Sequence, residues 1–418
     1  MRVLHTSDWH LGRLFHGAPL LSEQECALAR VVAIAGDADV DAVVVAGDLY
    51  DRAIPPADAV DLLAEALREL RGLGVPVVAI TGNHDSPNRV GALDPLLRAG
   101  GVTLRGRLDV DAPVVVPATD GGSDLVIHPV PYQEPLAAPL VERTGERARR
   151  PTQHEVLARA LDATRAEVAG RGDVRSVVVA HAFVAGAAPS DSERELSVGG
   201  VDRVPTSAFD GFTYAALGHL HRPQEVGPRA AYSGSLLPYS FSETARASVR
   251  VVELAPDGSV EAEVVELGCE RTVATLEGRL DSLLADPAHR AAEQAWVRVR
   301  LHDEVLPRHA MERLRDRFPH TLVLEHVRPA TASTAADPRR RSTPVTDLDL
   351  AHAFVAERFG RPVDATEDTL LRAAFDAVTA AGREDELRVA ATVATADRGH
   401  DEHGQHDDGS SARDGAVA

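Results

Sequence analysis

The sequence predicts an α/β protein with a second, smaller α/β unit and a helical C-terminal segment. Three observations predict it. Short Val-, Ile- and Leu-rich runs alternate with helical spacing over the first part of the chain. The same alternation restarts on a smaller scale near Arg271, and residues 330–344 have linker composition. At 418 residues the chain exceeds what one core usually sustains, so more than one domain is expected.

Val3–Ser7, Ala42–Ala46, Val75–Thr81, Ser176–Ala180 and Tyr214–Leu217 read as strands covered on both faces, because they lack polar alternation. Between them, Ala57–Gly72 and His154–Gly170 space Leu, Val and Ala as helices do. Ala231–Tyr232, Val249–Leu254 and Val260–Leu267 read as a returning antiparallel run that closes a domain over residues 1–267. Thr272–Leu276, Ala295–Leu301 and Thr321–Val327 read as strands, with helices at Leu280–Ala292 and His309–Arg317. They make a small β-α-β-α-β capping domain over residues 271–329. Beyond the linker, residues 345–390 hold two amphipathic helices. One carries Leu348, Ala351, Phe354 and Val355 and ends at Gly360; the other carries Leu370, Leu371, Ala374, Phe375 and Val378. The Asp-, His- and Gly-rich residues 397–418 read as a disordered tail, and no internal repeat is visible.

At 44% hydrophobic and 26% charged, the composition is that of an ordinary globular protein. No run approaches the roughly eighteen apolar residues of a membrane helix, and Met1–His5 begins like a strand instead of a signal peptide. Cys26 and Cys269 cannot make a disulfide framework or a Cys-rich zinc module. A cytoplasmic chain is expected, its metal chemistry drawn from Asp, Asn and His. Sixty-four acidic against forty-four basic residues give −20, with every cation an Arg. Residues from 331 onward contribute −7 of this, so the tail alone does not explain the deficit. Such a chain is poorly suited to binding nucleic acid unaided, since that rests on phosphate neutralisation. A DNA substrate would need metals and a partner.

Five strand ends each deliver one polar cluster: Asp8-Trp9-His10, Gly47-Asp48-Leu49-Tyr50-Asp51, Gly82-Asn83-His84-Asp85, His181, and Gly218-His219-Leu220-His221. Asp8/His10 and His219/His221 are i,i+2 pairs, which point the same way in extended backbone, so each can grip one ion from a single segment. Open α/β sheets put their sites at the carboxyl ends of strands, where these clusters fall. The inventory suits two divalent ions: one on Asp8, His10 and His221, the other on Asn83, His181 and His219, with Asp48 as bridge. Imidazole, carboxylate and amide donors together fit Mn²⁺, Fe²⁺ or Zn²⁺ better than Mg²⁺ or Ca²⁺. Two ions about 3.5–4 Å apart polarise a phosphate ester and acidify a water. His84 is left off the ions, facing the leaving-group oxygen as proton donor, with Asp51 orienting and charging its imidazole.

A lone Asp-x-His or Gly-Asn-His-Asp is more often a turn than a ligand; the full ordered set over five strand ends is not explained that way. His5 and His128 read as satisfied core or edge residues, His16 lies outside the pattern, and His400, His403 and His406 belong to a solvated tail. On Trp296–Leu301, Val297, Val299 and Leu301 alternate with Arg298 and Arg300. That spacing puts both guanidiniums on one exposed face, available to DNA phosphates or simply to water.

The motif series Asp-x-His, Gly-Asp-x-x-Asp, Gly-Asn-His-Asp, a later His and Gly-His-x-His resembles that of calcineurin-like metallophosphoesterases. More narrowly, MRVLHTSDWHLG (Met1–Gly12), VAGDLYD (Val45–Asp51), TGNHDS (Thr81–Ser86), LGHLHRPQ (Leu217–Gln224) and YSGSLLPYSF (Tyr232–Phe241) resemble the SbcD family, the nuclease subunits of bacterial SbcCD complexes. The resemblance covers about residues 1–265 by motif and the remainder by layout. It implies the family's metallophosphoesterase sandwich. It also implies seven metal ligands at Asp8, His10, Asp48, Asn83, His181, His219 and His221, and a proton-donating histidine at His84. Asp51 occupies a position that is His in the archaeal and eukaryotic branches.

The implied activity is that of a Mn²⁺-dependent DNA phosphodiesterase. It would act as a 3′–5′ exonuclease and a hairpin or single-strand endonuclease, in repair, recombination and replication. An SbcC-type ATPase partner and a homodimer within a heterotetramer are implied with it, the helix pair docking on the partner's coiled coil. A small-molecule phosphodiesterase or phosphomonoesterase would use the same ligands but has no need of the capping domain and helix pair. A non-enzymatic scaffold would be expected to have lost ligands, and none is missing.

Overall fold

The computed structural model describes residues 1–109, 112–138, 141, 149–193, 203–327 and 347–375 of the chain. It divides into two compact units, residues 1–331 and 332–418.

The first unit is built on two six-stranded sheets. In one, Arg2–Thr6, Ala42–Val45, Val77–Ile80 and Val102–Arg105 run parallel, with Ser248–Leu254 and Val260–Glu266 antiparallel at one edge. In the other, Leu125–Val130, Arg175–His181, Tyr214–Gly218 and Ala230–Tyr232 run parallel, with Val114–Val116 and Gln224–Glu225 at the edges. Alternate residues of the strands divide between two environments. Val3, Val44, Val78 and Ile80 meet Ile127, Val177, Val179 and Ala216 between the sheets. On the outer faces, Leu4, Val43 and Val45 pack under helices Leu21–Asp37 and Ala57–Gly72, and Val178, Ala180 and Leu217 pack under Gln153–Arg171. Burial on both faces is why these strands carry no polar alternation. The result is a sandwich of two sheets between helical layers, the α/β architecture expected.

The helix Leu21–Asp37 and the strands Val102–Arg105 and Leu125–Val130 are not among the elements expected from the sequence. The helix starts without a side-chain cap, and Leu125–Val130 holds His128 and Pro129 inside its buried run. By contrast Gln153–Arg171 begins on a full Thr152/Glu155 capping box.

His5 sits between the sheets, its Nδ1 3.0 Å from the Tyr214 hydroxyl and its Nε2 3.1 Å from the Leu217 carbonyl oxygen. Burial, helped by Arg250, pushes its pKa down to about 3. In the unfolded chain it protonates near 6.5. Stability from this residue is therefore intact above about pH 6.5 and declines as pH falls towards 3, by roughly 3–5 kcal/mol in all. His5→Gln, which cannot protonate, is expected to flatten urea-unfolding stability between pH 6.5 and 4. A variant curve parallel to wild type would exonerate His5.

Val273–Gly278, Trp296–Leu301 and Thr321–His326 form a three-stranded parallel sheet with Trp296–Leu301 central. Helices Leu280–Ala285 and Ala310–Arg317 cover it around Val297, Val299, Leu301, Leu314 and Phe318. Its other face is not open along its length, because Trp296 joins the large core beside Phe15.

In the second unit, Asp347–Phe359 and residues 365–375 are helical, with His352 Nε2 2.8 Å from Asp368 Oδ1 between them. Phe354 and Leu370 are 64% and 66% exposed. The expected linker at 330–344, the tail at 397–418 and residues 376–380 of the second expected helix lie outside the described residues. No helix among the described residues is long and apolar enough to cross a membrane.

Candidate metal centre

Parallel strands that end together bring the five clusters together. Asp8 and His10 follow Arg2–Thr6, Asp48 follows Ala42–Val45, and Asn83 and His84 follow Val77–Ile80. His181 closes its own strand, and His219 and His221 follow Tyr214–Gly218. The turns are strained. Asp8, His10, Asp48 and His219 have φ of 52°, 43°, 50° and 106°, a region few residues other than Gly adopt and one that concentrates at functional sites. A Cβ on Gly47 would overlap the His181 ring, and one on Gly82 the Asp48 carboxylate, so both glycines are needed for close approach.

Backbone bonds lock the loops side by side: Asp8 N–H donates to Gly47 O at 3.0 Å and His10 N–H to Asp48 O at 2.9 Å. The Asp8 carboxylate accepts from His219 N–H at 3.0 Å, and Asp48 Oδ1 from His84 N–H at 2.8 Å.

Among the described residues, three sets of side chains converge closely enough to hold an ion: Asp8, His10 and His221; Asp8, Asp48 and His181; and His10, Asp48 and His84. His10 Nε2 is 3.1 Å from His221 Nε2 and 3.6 Å from Asp48 Oδ2. Asp48 Oδ2 is also 3.4 Å from His181 Nε2, so this carboxylate lies between the two expected ligand groups. Asn83 Oδ1 stands 2.9 Å from His181 Nε2 and 3.2 Å from His219 Nδ1. Asp8, His10, Asp48, His181, His219 and His221 are buried; Asn83 and His84 are half-buried.

The electrostatics suit a bound cation. Burial drives His10 and His219 well below the usual histidine range, leaving neutral imidazoles. Burial opposes ionisation of Asp48, but His181 and His10 outweigh it and hold the carboxyl well below its usual range. Burial lifts Asp8 to about 6; it also opposes the charge on His181, which Asp48 and Asp8 nevertheless raise to about 9. His10 Nδ1 is buried without a hydrogen-bond partner. Neutral His10 and His219 beside the Asp48 carboxylate are donors for divalent transition ions, whereas His181 must give up a proton to bind one, and His221 is raised as well, Glu243 and Asp8 outweighing its burial.

His84 stands beside this group, its ring 4.7 Å from that of His10 and its Nδ1 2.8 Å from the backbone carbonyl of Asp51. The Asp51 carboxylate accepts from Arg13 Nη1 at 3.1 Å and lies 3.8 Å from His10 Nδ1. Asp51 thus reaches His84 through its main chain, and its carboxylate answers Arg13, whose guanidinium lies over the Tyr239 ring.

The sequence reading gave no role to Asp85, whose carboxylate accepts from Leu49, Tyr50 and Gly82 N–H at 2.9–3.0 Å. It ties the loop of Asp48 to the loop of His84. Its place in a motif whose neighbours serve the site was the available signal. Arg13, Ser192, Glu193 and Glu243 were also missed, and nothing local marks them.

Arg298 and Arg300 part company. Arg300 is in register with Glu277 and Glu325 on the two flanking strands and pairs with them at 2.9 and 2.8 Å, so its face is not a free cationic surface. Arg298 lies over the Phe241 ring, 5.1 Å from its centre, and donates to Thr275. His16 meets Phe15 edge-on and lies tilted against Phe241, outside the candidate cluster, and His128 is buried 3.6 Å from Glu167.

Residues 1–223 match the calcineurin-like phosphoesterase family. The chain is also 32% identical over 371 residues to the SbcD subunit of the SbcCD nuclease of Bacillus subtilis (strain 168), covering 86% of this chain and 91% of that protein. The chain belongs to the calcineurin-like phosphoesterases, in their SbcD branch. Consistent with that branch, residues 269–359 match the SbcD C-terminal family, described as the type 5 capsule protein repressor C-terminal domain. Among solved structures this SbcD-branch phosphoesterase is similar to a dimetal phosphatase from Danio rerio, at 12% identity over 64% of this chain and 96% of that one, TM-score 0.36. It is similar too to GAP50 of Plasmodium, at 11% identity over 64% and 85%, TM-score 0.39.

Proposed function

We propose that this chain is the nuclease subunit of an SbcCD-type complex, hydrolysing DNA phosphodiester bonds with two divalent ions, most suitably Mn²⁺. The observation that carries the reading is the convergence of Asp8, His10, Asp48, Asn83, His181, His219 and His221 from five strand ends into one buried cluster with His84 at its edge. Asp8, His10 and His221 would hold one ion, Asn83, His181 and His219 the other, and Asp48 both. Bound ions supply Lewis-acid polarisation of the phosphate and acidify a water. The chain's own contribution is positional. Asp85 fixes the Asp48 loop against the His84 loop, and the Asp51 carbonyl and His84 Nδ1 set the imidazole so that Nε2 can give a proton to the leaving oxygen.

The proposed substrate is DNA, cut 3′ to 5′ from ends and nicked at hairpins or single strands, in repair, recombination and replication in the cytoplasm. An SbcC-type ATPase would supply much of the cationic surface that this chain, at −20, lacks. The proposed assembly is a homodimer within a heterotetramer. Residues 1–267 would form the nuclease domain, 271–329 the capping domain and 345–390 the docking segment. Purified chain with Mn²⁺ should nick hairpin DNA alone and degrade duplex ends only with the ATPase and ATP. Turnover of bis-p-nitrophenyl phosphate with no cleavage of either DNA would overturn the nuclease reading.

Arg298 is the proposed phosphate contact on the capping domain, with Arg300 secondary because two carboxylates already neutralise it. Changing both to Ser is expected to weaken DNA binding and flatten its salt dependence by about one unit of slope per phosphate lost. Hydrolysis of the small diester should be untouched, and the single Arg298→Ser change should carry most of the effect. Equal loss on both substrates would indicate a folding defect instead.

A further inference from the structure

We propose that Glu243 is a positioning residue for His221, a buried carboxylate that works with Ser192 to present the Nε2 of this imidazole to the ion shared with Asp8 and His10. The proposal rests on the reading of this cluster as a metal centre. His221 Nε2 points into the cluster, 3.1 Å from His10 Nε2. Its Nδ1 points away, 2.5 Å from Ser192 Oγ and 3.4 Å from Glu243 Oε1. Glu243 is 5% exposed and has little freedom to swing. Its Oε1 accepts from Ser190 Oγ at 2.6 Å, from Ser240 Oγ at 3.1 Å and from Ser192 Oγ. Its Oε2 accepts from Tyr239 N–H at 2.7 Å.

A histidine that ligates through one nitrogen must keep its proton on the other. A carboxylate or hydroxyl accepting there fixes the tautomer and the ring plane and makes the ligating nitrogen a better donor. The two expected ion positions differ in this respect. His181, on the other side of the cluster, hydrogen-bonds through Nδ1 to the neutral carbonyl of Ala46 at 2.9 Å, with the Asp8 carboxylate farther off at 3.9 Å. His221 has a carboxylate closer behind its Nδ1, at 3.4 Å, and a hydroxyl between them.

The same carboxylate also clips down the segment Ser190–Glu193. Glu193 Oε1 accepts from His221 N–H at 2.9 Å, and Arg13 Nη2 donates to the Ser192 carbonyl at 3.4 Å. Glu243 therefore couples the orientation of His221 to the placement of the segment packed against it.

The test is Mn²⁺ titration of the full chain, read from the electron paramagnetic resonance of the free ion, with thermal melting in EDTA alongside. Glu243→Gln keeps the shape and removes the charge. It is expected to weaken one of two Mn²⁺ sites by about 10–100-fold, leaving the other and the EDTA melting curve near wild type. Ser192→Ala should weaken the same site less, and Glu243→Asp should restore part of the affinity. Two wild-type Mn²⁺ affinities in Glu243→Gln would overturn the proposal. So would loss of both sites together with a large drop in melting temperature, which would make Glu243 a structural residue. A wild-type chain that binds no Mn²⁺ would instead overturn the metal-centre reading, and this proposal with it.

Discussion

His84→Ala is expected to keep both ions and lose DNA turnover by about 10²–10⁴-fold, the usual worth of a positioned proton donor. The imidazole is half-buried at the edge of the cluster, held through Nδ1 by the Asp51 carbonyl, and the expected ligand set is complete without it. Its nearness to His10 and Asp48 makes the contrast with a true bridge informative. Asp48→Ala should lose bound metal as well as activity, because its Oδ2 lies within 3.4–3.6 Å of nitrogens from both ligand groups. Metal analysis beside a hairpin-cleavage assay separates the two variants. Full activity in His84→Ala would remove it as the acid, and lost metal in that variant would make it a ligand.

Placing Glu at both Phe354 and Phe375 should abolish co-purification with the SbcC-type ATPase and, with it, ATP-stimulated digestion of duplex ends. Phe354 and Leu370 stand 64% and 66% exposed on the second unit, an apolar surface that is costly to leave in water. A charge on a stripe that must be buried against a partner carries a heavy desolvation cost. Ending the chain near Arg328 should act the same way. Residues 1–331 form a compact unit of their own, so this shorter chain is expected to fold, hold metal and nick hairpins with Mn²⁺. Unchanged co-purification after either alteration would place the partner's grip elsewhere.

The fold class and the candidate site were legible because their signals are local. Apolar runs such as Ala42–Val45 are continuous since both faces of the sheet are covered, and the expected ligand residues sit at strand ends, although Asp8, His10 and His219 take positive φ where their two-residue spacing suggested extended backbone. Elements with a mixed local signal were not legible. Leu125–Val130 buries a histidine and a proline, and Leu21–Asp37 starts with no cap.

The sequence by itself determined the α/β plan, the small three-stranded sheet and the set of polar residues that the strand ends deliver. Only the tertiary structure decided which polar group answers which. Asp51 turns its carboxylate to Arg13 and its carbonyl to His84. Arg300 is cancelled by Glu277 and Glu325, and Asp85 and Glu243 become the braces of the loops around the ligands. The reason is physical. Strand and helix periodicity is written within a few residues, whereas a carboxylate takes whichever donors the packing of distant loops brings within about 3 Å.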